Sequence, residues 1–191
     1  MRRLILAVLV LLPTTVSHST SDFRKKLVPS EVVRAVSYMQ PENDEVTAHR
    51  IAEAVYRGSL EIGMDWKLML SILHQESSLK LNPQGCKVWV SKRSGERGSC
   101  VDYGIGQVNF RTWGKSMNLS RLKLVTSYEY SIEAPARILK HYKKLYGKHG
   151  HKWYLRYHSG KPEHKRVYDA YVTKRYVAVK RYVSGLKRGE R

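Results

Sequence analysis

The sequence predicts a mainly α fold, and three observations predict it. Apolar residues recur at helical spacing over several separate stretches of the chain. Those stretches open on capping residues and close on glycine or proline. Behind an apolar leader, about 170 residues remain, enough for one domain with a sizeable core.

Met1 to Ser19 reads as a secretory signal. Arg2 and Arg3 form its charged start, Leu4 to Leu12 is unbroken apolar, and small and polar residues follow Pro13. The apolar run is too short to span a bilayer as a helix. A cut after Ser17 or Ser19 fits the small-residue preference, and the mature product is expected to be exported, periplasmic or secreted. No second apolar span occurs, so a soluble monomer is the expectation. Residues 20–44 read as an N-terminal extension. Pro29-Ser30-Glu31 starts a short helix there, which Pro41 stops.

The main domain is placed at residues 45–183. Ala48, Ile51, Ala52, Val55 and Ser59 line one face of its first helix, capped by Asp44 or Thr47 and terminated at Gly63. Asp65 caps the next, in which Trp66, Met69, Leu70, Ile72, Leu73 and Leu79 recur. That helix should end near Leu79 to Leu81, because Pro83 cannot continue it and restricts Asn82. Between Cys86 and Cys100, Lys87 to Val90 suits one strand of a small hairpin. With an export signal, these two cysteines are expected to form a disulfide; two free thiols would suit a cytosolic chain. The closed loop of 15 residues would contribute roughly 3 kcal/mol in the chain-entropy model.

Glu129 to Tyr146 forms another amphipathic stretch, with Ala134, Ile138, Tyr142 and Leu145 on one face. Pro135 requires either a start near Glu133 or a kink. Gly147 and Gly150 then break the chain. Trp153, Tyr154 and Tyr157 begin a final aromatic-rich helical region, continued from Val167 to Val183 through Tyr168, Tyr171 or Val172, Tyr176, Val179 and Tyr182 or Val183. Residues 184–191 form a basic tail, frayed from Lys187.

One residue in this frame points to chemistry. Glu76 falls in the last turn of the Asp65 helix and shares a face with Met69, Ile72 and Leu73. A carboxyl on an apolar stripe loses water, and the negative helix end disfavours its charge as well. An acid still protonated near neutral pH is expected, suited to protonating a glycosidic oxygen.

Its company sharpens the reading. Ser77 follows it; Gly104-Ile105-Gly106-Gln107 comes about thirty residues later, and Tyr157-His158-Ser159-Gly160 later still. From Val46 to Val183 this ordered set resembles the lysozyme-like lytic transglycosylases, which carry a Glu-Ser pair, a Gly-x-x-Gln motif and a Tyr-Asn-x-Gly motif. The resemblance implies a lysozyme-like helical domain with a substrate cleft, walled on one side by the disulfide-closed loop. It implies cleavage of peptidoglycan between N-acetylmuramic acid and N-acetylglucosamine, with a 1,6-anhydro product and Glu76 as acid and base. Gln107 would hydrogen-bond sugar groups, Tyr103 would offer a ring face, and Tyr157 would reach toward the catalytic carboxyl. Gly104 and Gly106 would let the backbone approach a ligand or another strand. The departures are His158, where asparagine is usual, read as making a structural hydrogen bond, and a longer segment before Gly104. A serine that supports the carboxyl in the family aligns nearest to Ser99.

A hydrolytic alternative needs a second carboxylate roughly 6.5–9.5 Å away. Asp102, two residues before Gly104, is the best candidate and resembles an aspartate of goose-type lysozymes.

The formal net charge is +19, which points to an anionic partner. Residues 137–191 hold 17 lysines and arginines against 3 acids. Wall glycan with its peptide carboxylates, an anionic membrane surface and nucleic acid are the candidates, and a noncatalytic basic binder is the alternative from another class. Tyrosines interleaved with basic residues could stack on bases; a packed helix with a solvated basic face is expected instead, so nucleic acid is not the expected partner. Exported members of the resembled family often serve secretion, conjugation or phage machinery, which implies a possible docking partner. No metal motif, P-loop or dinucleotide fingerprint is visible, and no cofactor is expected.

Overall fold

A computed structural model describes residues 27–81, 89–90, 97–98, 102–150, 152–158 and 162–189. The signal, Pro83, Cys86, Cys100, Ser99, Ser159-Gly160 and the last two residues lie outside the described residues, and with them the expected disulfide. Among the described residues the chain is mainly helical.

Helix α1 (Ser30–Met39) starts and stops where the prolines dictate. It buries Val32, Ala35 and Val36 against helix α2 (Glu45–Ile62) and a long C-terminal helix, so this stretch is built into the core. Asp44 caps α2 by accepting from the Thr47 amide at 2.7 Å. Gly63 ends it in the left-handed region at φ 64, where a side chain would cost about 1 kcal/mol or more.

Helix α3 (Trp66–Ser77) is capped by Asp65 and buries the expected apolar face, with Met69, Leu70, Ile72 and Leu73 fully enclosed. Each such side chain contributes roughly 1.5–3 kcal/mol. The helix stops two to four residues short of the expected end. Ser78 and Leu79 both turn left-handed, at φ 55 and 60, each at a cost of roughly 1–2 kcal/mol. Leu79 is buried to 1 % exposure, and that burial offsets the strain of the reversal.

Strands β1 (Trp89–Val90) and β2 (Arg97–Gly98) pair antiparallel, placing the second strand of the expected small hairpin. Strands β3 (Asp102–Tyr103) and β4 (Val108–Asn109) form a second short ribbon around the glycine motif. Two brief helices follow, α4 (Phe110–Trp113) and α5 (Arg121–Thr126), which the apolar periodicity is too short to reveal.

Helix α6 (Tyr128–Tyr146) is capped by Ser127 and runs continuously through Pro135, which is buried within it. It therefore starts before Glu133. Ala134 and Ile138 face inward as expected, whereas Leu145 is 44 % exposed. A 3-10 turn spans Gly147–His149, and a second spans Trp153–Arg156. Trp153, Tyr154 and Tyr157 thus belong to that turn and its end, and a separate helix, α7 (Pro162–Arg188), follows. On α7, Tyr168, Val172, Val179 and Val183 are buried, while Tyr171 and Val167 are 52 % exposed. Helicity continues through Lys187 and Arg188, and Lys187 pairs with Glu31 at 3.4 Å.

Helix α7 runs against α3 and is tied to it along its length. Tyr176 donates to the Asp65 cap at 2.9 Å, and Arg175 Nε donates to His74 Nδ1 at 2.9 Å. His74 Nε2 lies 3.0 Å from the Met39 carbonyl and is the donor in that pairing, since Nδ1 already accepts. Burial, then the Arg175 charge, holds the His74 pKa below its ordinary value, so a neutral imidazole joins α1, α3 and α7.

Two apolar clusters result. The larger joins α1, α2, α3, α6 and α7 around Ile51, Leu70, Ile72, Leu139 and Val179. The smaller joins β4, α5 and α6 around Val108, Leu124 and Ile138. Tyr157 packs against both, and the candidate site lies at this seam.

Candidate active site

The end of α3 delivers Glu76 into a pocket of about 260 Å³ whose wall also includes Asp102, Gln107, Asn109, Trp113, Tyr157 and His158. The early left-handed stop explains the position. Glu76 stays in the last helical turn, on the face of Met69 and Leu73, while the chain departs beyond it.

The Tyr168 hydroxyl donates to Glu76 Oε1 at 2.6 Å. Burial raises the Glu76 pKa from its ordinary 4.5 to about 7, against the Tyr168 hydrogen bond, which lowers it, and with the nearby Asp102 charge, which raises it. Desolvation wins. The group is therefore divided between acid and carboxylate near neutral pH, as the sequence led one to expect. With Oε1 accepting from Tyr168, the acid proton resides on Oε2.

Asp102 enters the pocket from β3. Its pKa is raised by burial, opposed by a hydrogen bond from the Asn109 side chain and by His158. Asn109 has a second duty. Its Oδ1 caps α4, accepting from the Thr112 amide at 2.9 Å and hydroxyl at 2.8 Å.

Several sequence expectations are redirected. Tyr157 lines the pocket, but its hydroxyl donates 2.5 Å to the Gly106 carbonyl. The tyrosine that reaches Glu76 is Tyr168, placed by the sequence only among the packed residues of the last helix. Gln107 lines the pocket in a left-handed conformation, φ 46, and its Nε2 donates to the Gly104 carbonyl at 3.0 Å. Its Oε1 is left as the side-chain acceptor.

Gly104 and Gly106 are buried and serve packing between elements. At Gly104, φ 73, a Cβ would collide with Ser131 Oγ and the Leu124 carbonyl. At Gly106 it would lie 2.5 Å from Pro135 Cγ and 2.9 Å from the Tyr157 hydroxyl. The tight fit seats the ribbon turn on α6, where the Ile105 amide donates to Ser131 Oγ at 2.6 Å.

Tyr103 is not part of the pocket wall. Its ring meets Phe110 edge-on at 5.9 Å, with the Arg121 guanidinium 5.7 Å from its centre. Ser77 is buried and donates to the Leu73 carbonyl at 3.4 Å, also away from the pocket. His158 lines the pocket, and its ring stacks on Tyr168 at 4.4 Å with an interplanar angle of 1°. Burial, then His164, lowers the His158 pKa, opposed by Asp102; a neutral ring results at neutral pH.

No family model, no curated protein and no solved structure matches this chain. The site is therefore read from its own chemistry. It joins one desolvated acid, one hydrogen-bonded second carboxylate, amide groups from Gln107 and Asn109, and an aromatic wall from Trp113 and Tyr157. Such a set suits proton transfer to and from a neutral, hydroxyl-rich ligand.

Proposed function

We propose that this protein is an exported peptidoglycan lytic transglycosylase with Glu76 as its acid and base. The observation that carries the proposal is the protonatable Glu76, with a pKa of about 7, at the wall of a pocket shared with Gln107 and Tyr157. The motif resemblance adds the substrate class. Glu76 gives its proton to the bridging oxygen as the muramoyl C1–O bond breaks. The resulting carboxylate, stabilised by the Tyr168 hydroxyl, takes the proton of the muramoyl C6 hydroxyl. That oxygen bonds to C1, closing the 1,6-anhydro ring, and Glu76 ends protonated as it began. A positioned acid–base group supplies roughly 10²–10⁴-fold of such a rate.

A second reading, hydrolysis, is favoured by one specific observation: Asp102 lines the same pocket. A second carboxylate could deprotonate an attacking water. Mass spectrometry of purified peptidoglycan after incubation with wild type, Glu76→Gln and Asp102→Asn separates the readings. Anhydro ends that persist in Asp102→Asn and vanish in Glu76→Gln support transglycosylation. Reducing ends, lost in both variants, would establish the muramidase. Cleavage by neither wild type nor Glu76→Gln would leave a basic wall binder, and equal cleavage by both would remove Glu76 from the chemistry.

A further inference from the structure

A second and larger concavity, about 610 Å³, is lined by residues of the Trp153–Arg156 turn. Its wall carries Tyr146, His149, Lys152, Trp153, Arg156 and Lys165. No carboxylate is among the described residues that line it. Lys152 is paired with Asp169 at 2.6 Å. Neither Arg156 nor Lys165 has a carboxylate partner among the described residues. Among the described residues, the concavity therefore gathers the Arg156 and Lys165 charges, without a carboxylate partner, beside an aromatic surface. Its volume falls in the range typical of ligand sites, about 300–1,000 Å³.

The two pockets are joined by rings. Trp113 lines the Glu76 pocket and meets Tyr142 edge-on at 5.5 Å. Tyr142 lies 6.1 Å from Tyr146, one helical turn further along α6. Tyr146 lines the basic concavity, with the Arg156 guanidinium 4.6 Å from its ring centre. Trp113, Tyr142 and Tyr146 are all only partly buried. A run of half-exposed rings therefore leads from the acid to the cations.

We propose that this basic concavity binds the carboxylates of the peptide branches on the same glycan strand that is cleaved at Glu76, with the ring row as the path between. The proposal rests on the transglycosylase reading for its substrate and deepens it. Sugar faces are apolar enough to lie on rings, whereas the branches carry anionic ends that need cations. A guanidinium held over Tyr146 keeps N–H groups to present and suits a carboxylate fork. Nucleic acid is the less suited occupant, because phosphate tracking needs cations spread along a stripe. Here they converge on one concavity.

The test uses the full mature chain carrying Glu76→Gln, so that bound wall is not consumed. Its sedimentation with insoluble peptidoglycan is compared with that on strands stripped of their peptides. Glu76→Gln protein should prefer the peptide-bearing strands. Adding Arg156→Gln and Lys165→Gln should reduce that preference by about tenfold, the equivalent of one charge-assisted contact. Matching circular-dichroism melts establish that the variant is folded. A preference of one in the Glu76→Gln protein, or one unmoved by the added substitutions, overturns the proposal. So does a variant that loses only binding to a DNA oligonucleotide, which would assign the concavity to phosphodiesters. The catalytic reading fails separately: a wild type that cleaves no wall while Glu76→Gln keeps an Arg156-dependent preference would leave a binding protein.

Discussion

Glu76→Gln should stabilise this protein, and by an amount that depends on pH. In the fold the Glu76 carboxyl titrates at about 7 instead of its ordinary 4.5. Folding therefore favours the neutral acid. Below about pH 4.5 both folded and unfolded chains carry that acid neutral, and nothing is lost. As pH rises from 4.5 to 7 the unfolded chain releases the proton first, and stability falls; above 7 the loss is complete. The gap of about 2.5 pH units amounts to about 3 kcal/mol at 1.36 kcal/mol each. Glutamine keeps the shape and can still accept from the Tyr168 hydroxyl, but it has no charge to desolvate. Urea unfolding from pH 4 to 8.5 should show wild type and variant parallel at the acid end. They should diverge through pH 4.5–7, with the variant ahead by up to about 3 kcal/mol at pH 8. Thermal melts should separate by roughly 6–12 °C there. Asp102 and the histidines titrate in both proteins, so the difference isolates Glu76 and its coupling to Asp102. A difference that does not change with pH, or a variant that loses stability relative to wild type as pH rises, would refute the desolvated acid.

Other outcomes follow from the same geometry. Tyr168→Phe removes the donor that favours the Glu76 carboxylate, so the Glu76 pKa should rise further, by about one unit for one hydrogen bond. Carbon NMR titration of the carboxyl reads this directly, and the alkaline limb of any cleavage profile should move to higher pH. Gly106→Ala places a methyl against Pro135 and the Tyr157 hydroxyl; a destabilisation of about 1–3 kcal/mol should appear in chemical unfolding. Arg50 grips Glu129 through two hydrogen bonds, at 2.7 and 3.0 Å, and this holds the Glu129 pKa down to about 2. The pair is partly solvated, so Arg50→Met should cost under about 1 kcal/mol at pH 7. The cost should fade as pH drops from 4.5 toward 2, as urea midpoints across that range would show.

The sequence by itself determined the longer helices and pointed to one reactive group. Prolines, glycines and caps at Pro29, Asp44, Gly63 and Asp65 act within a few residues of themselves, and those boundaries are legible without a fold. Glu76 on the face of Met69, Ile72 and Leu73 is legible for the same reason, because helical period is local. The pairing of Glu76 with Tyr168 spans 92 positions, and spacing carries no record of it; the motif singled out Tyr157, whereas Tyr168 reads only as a packed aromatic. Only the tertiary structure decided which one reaches the acid, brought Asp102 to the same pocket, and seated Gly104 and Gly106 closely against neighbouring elements. The difference is physical. Periodicity, caps and breakers act through the backbone nearby, whereas desolvation and hydrogen bonding at a site depend on which distant surfaces the core draws together.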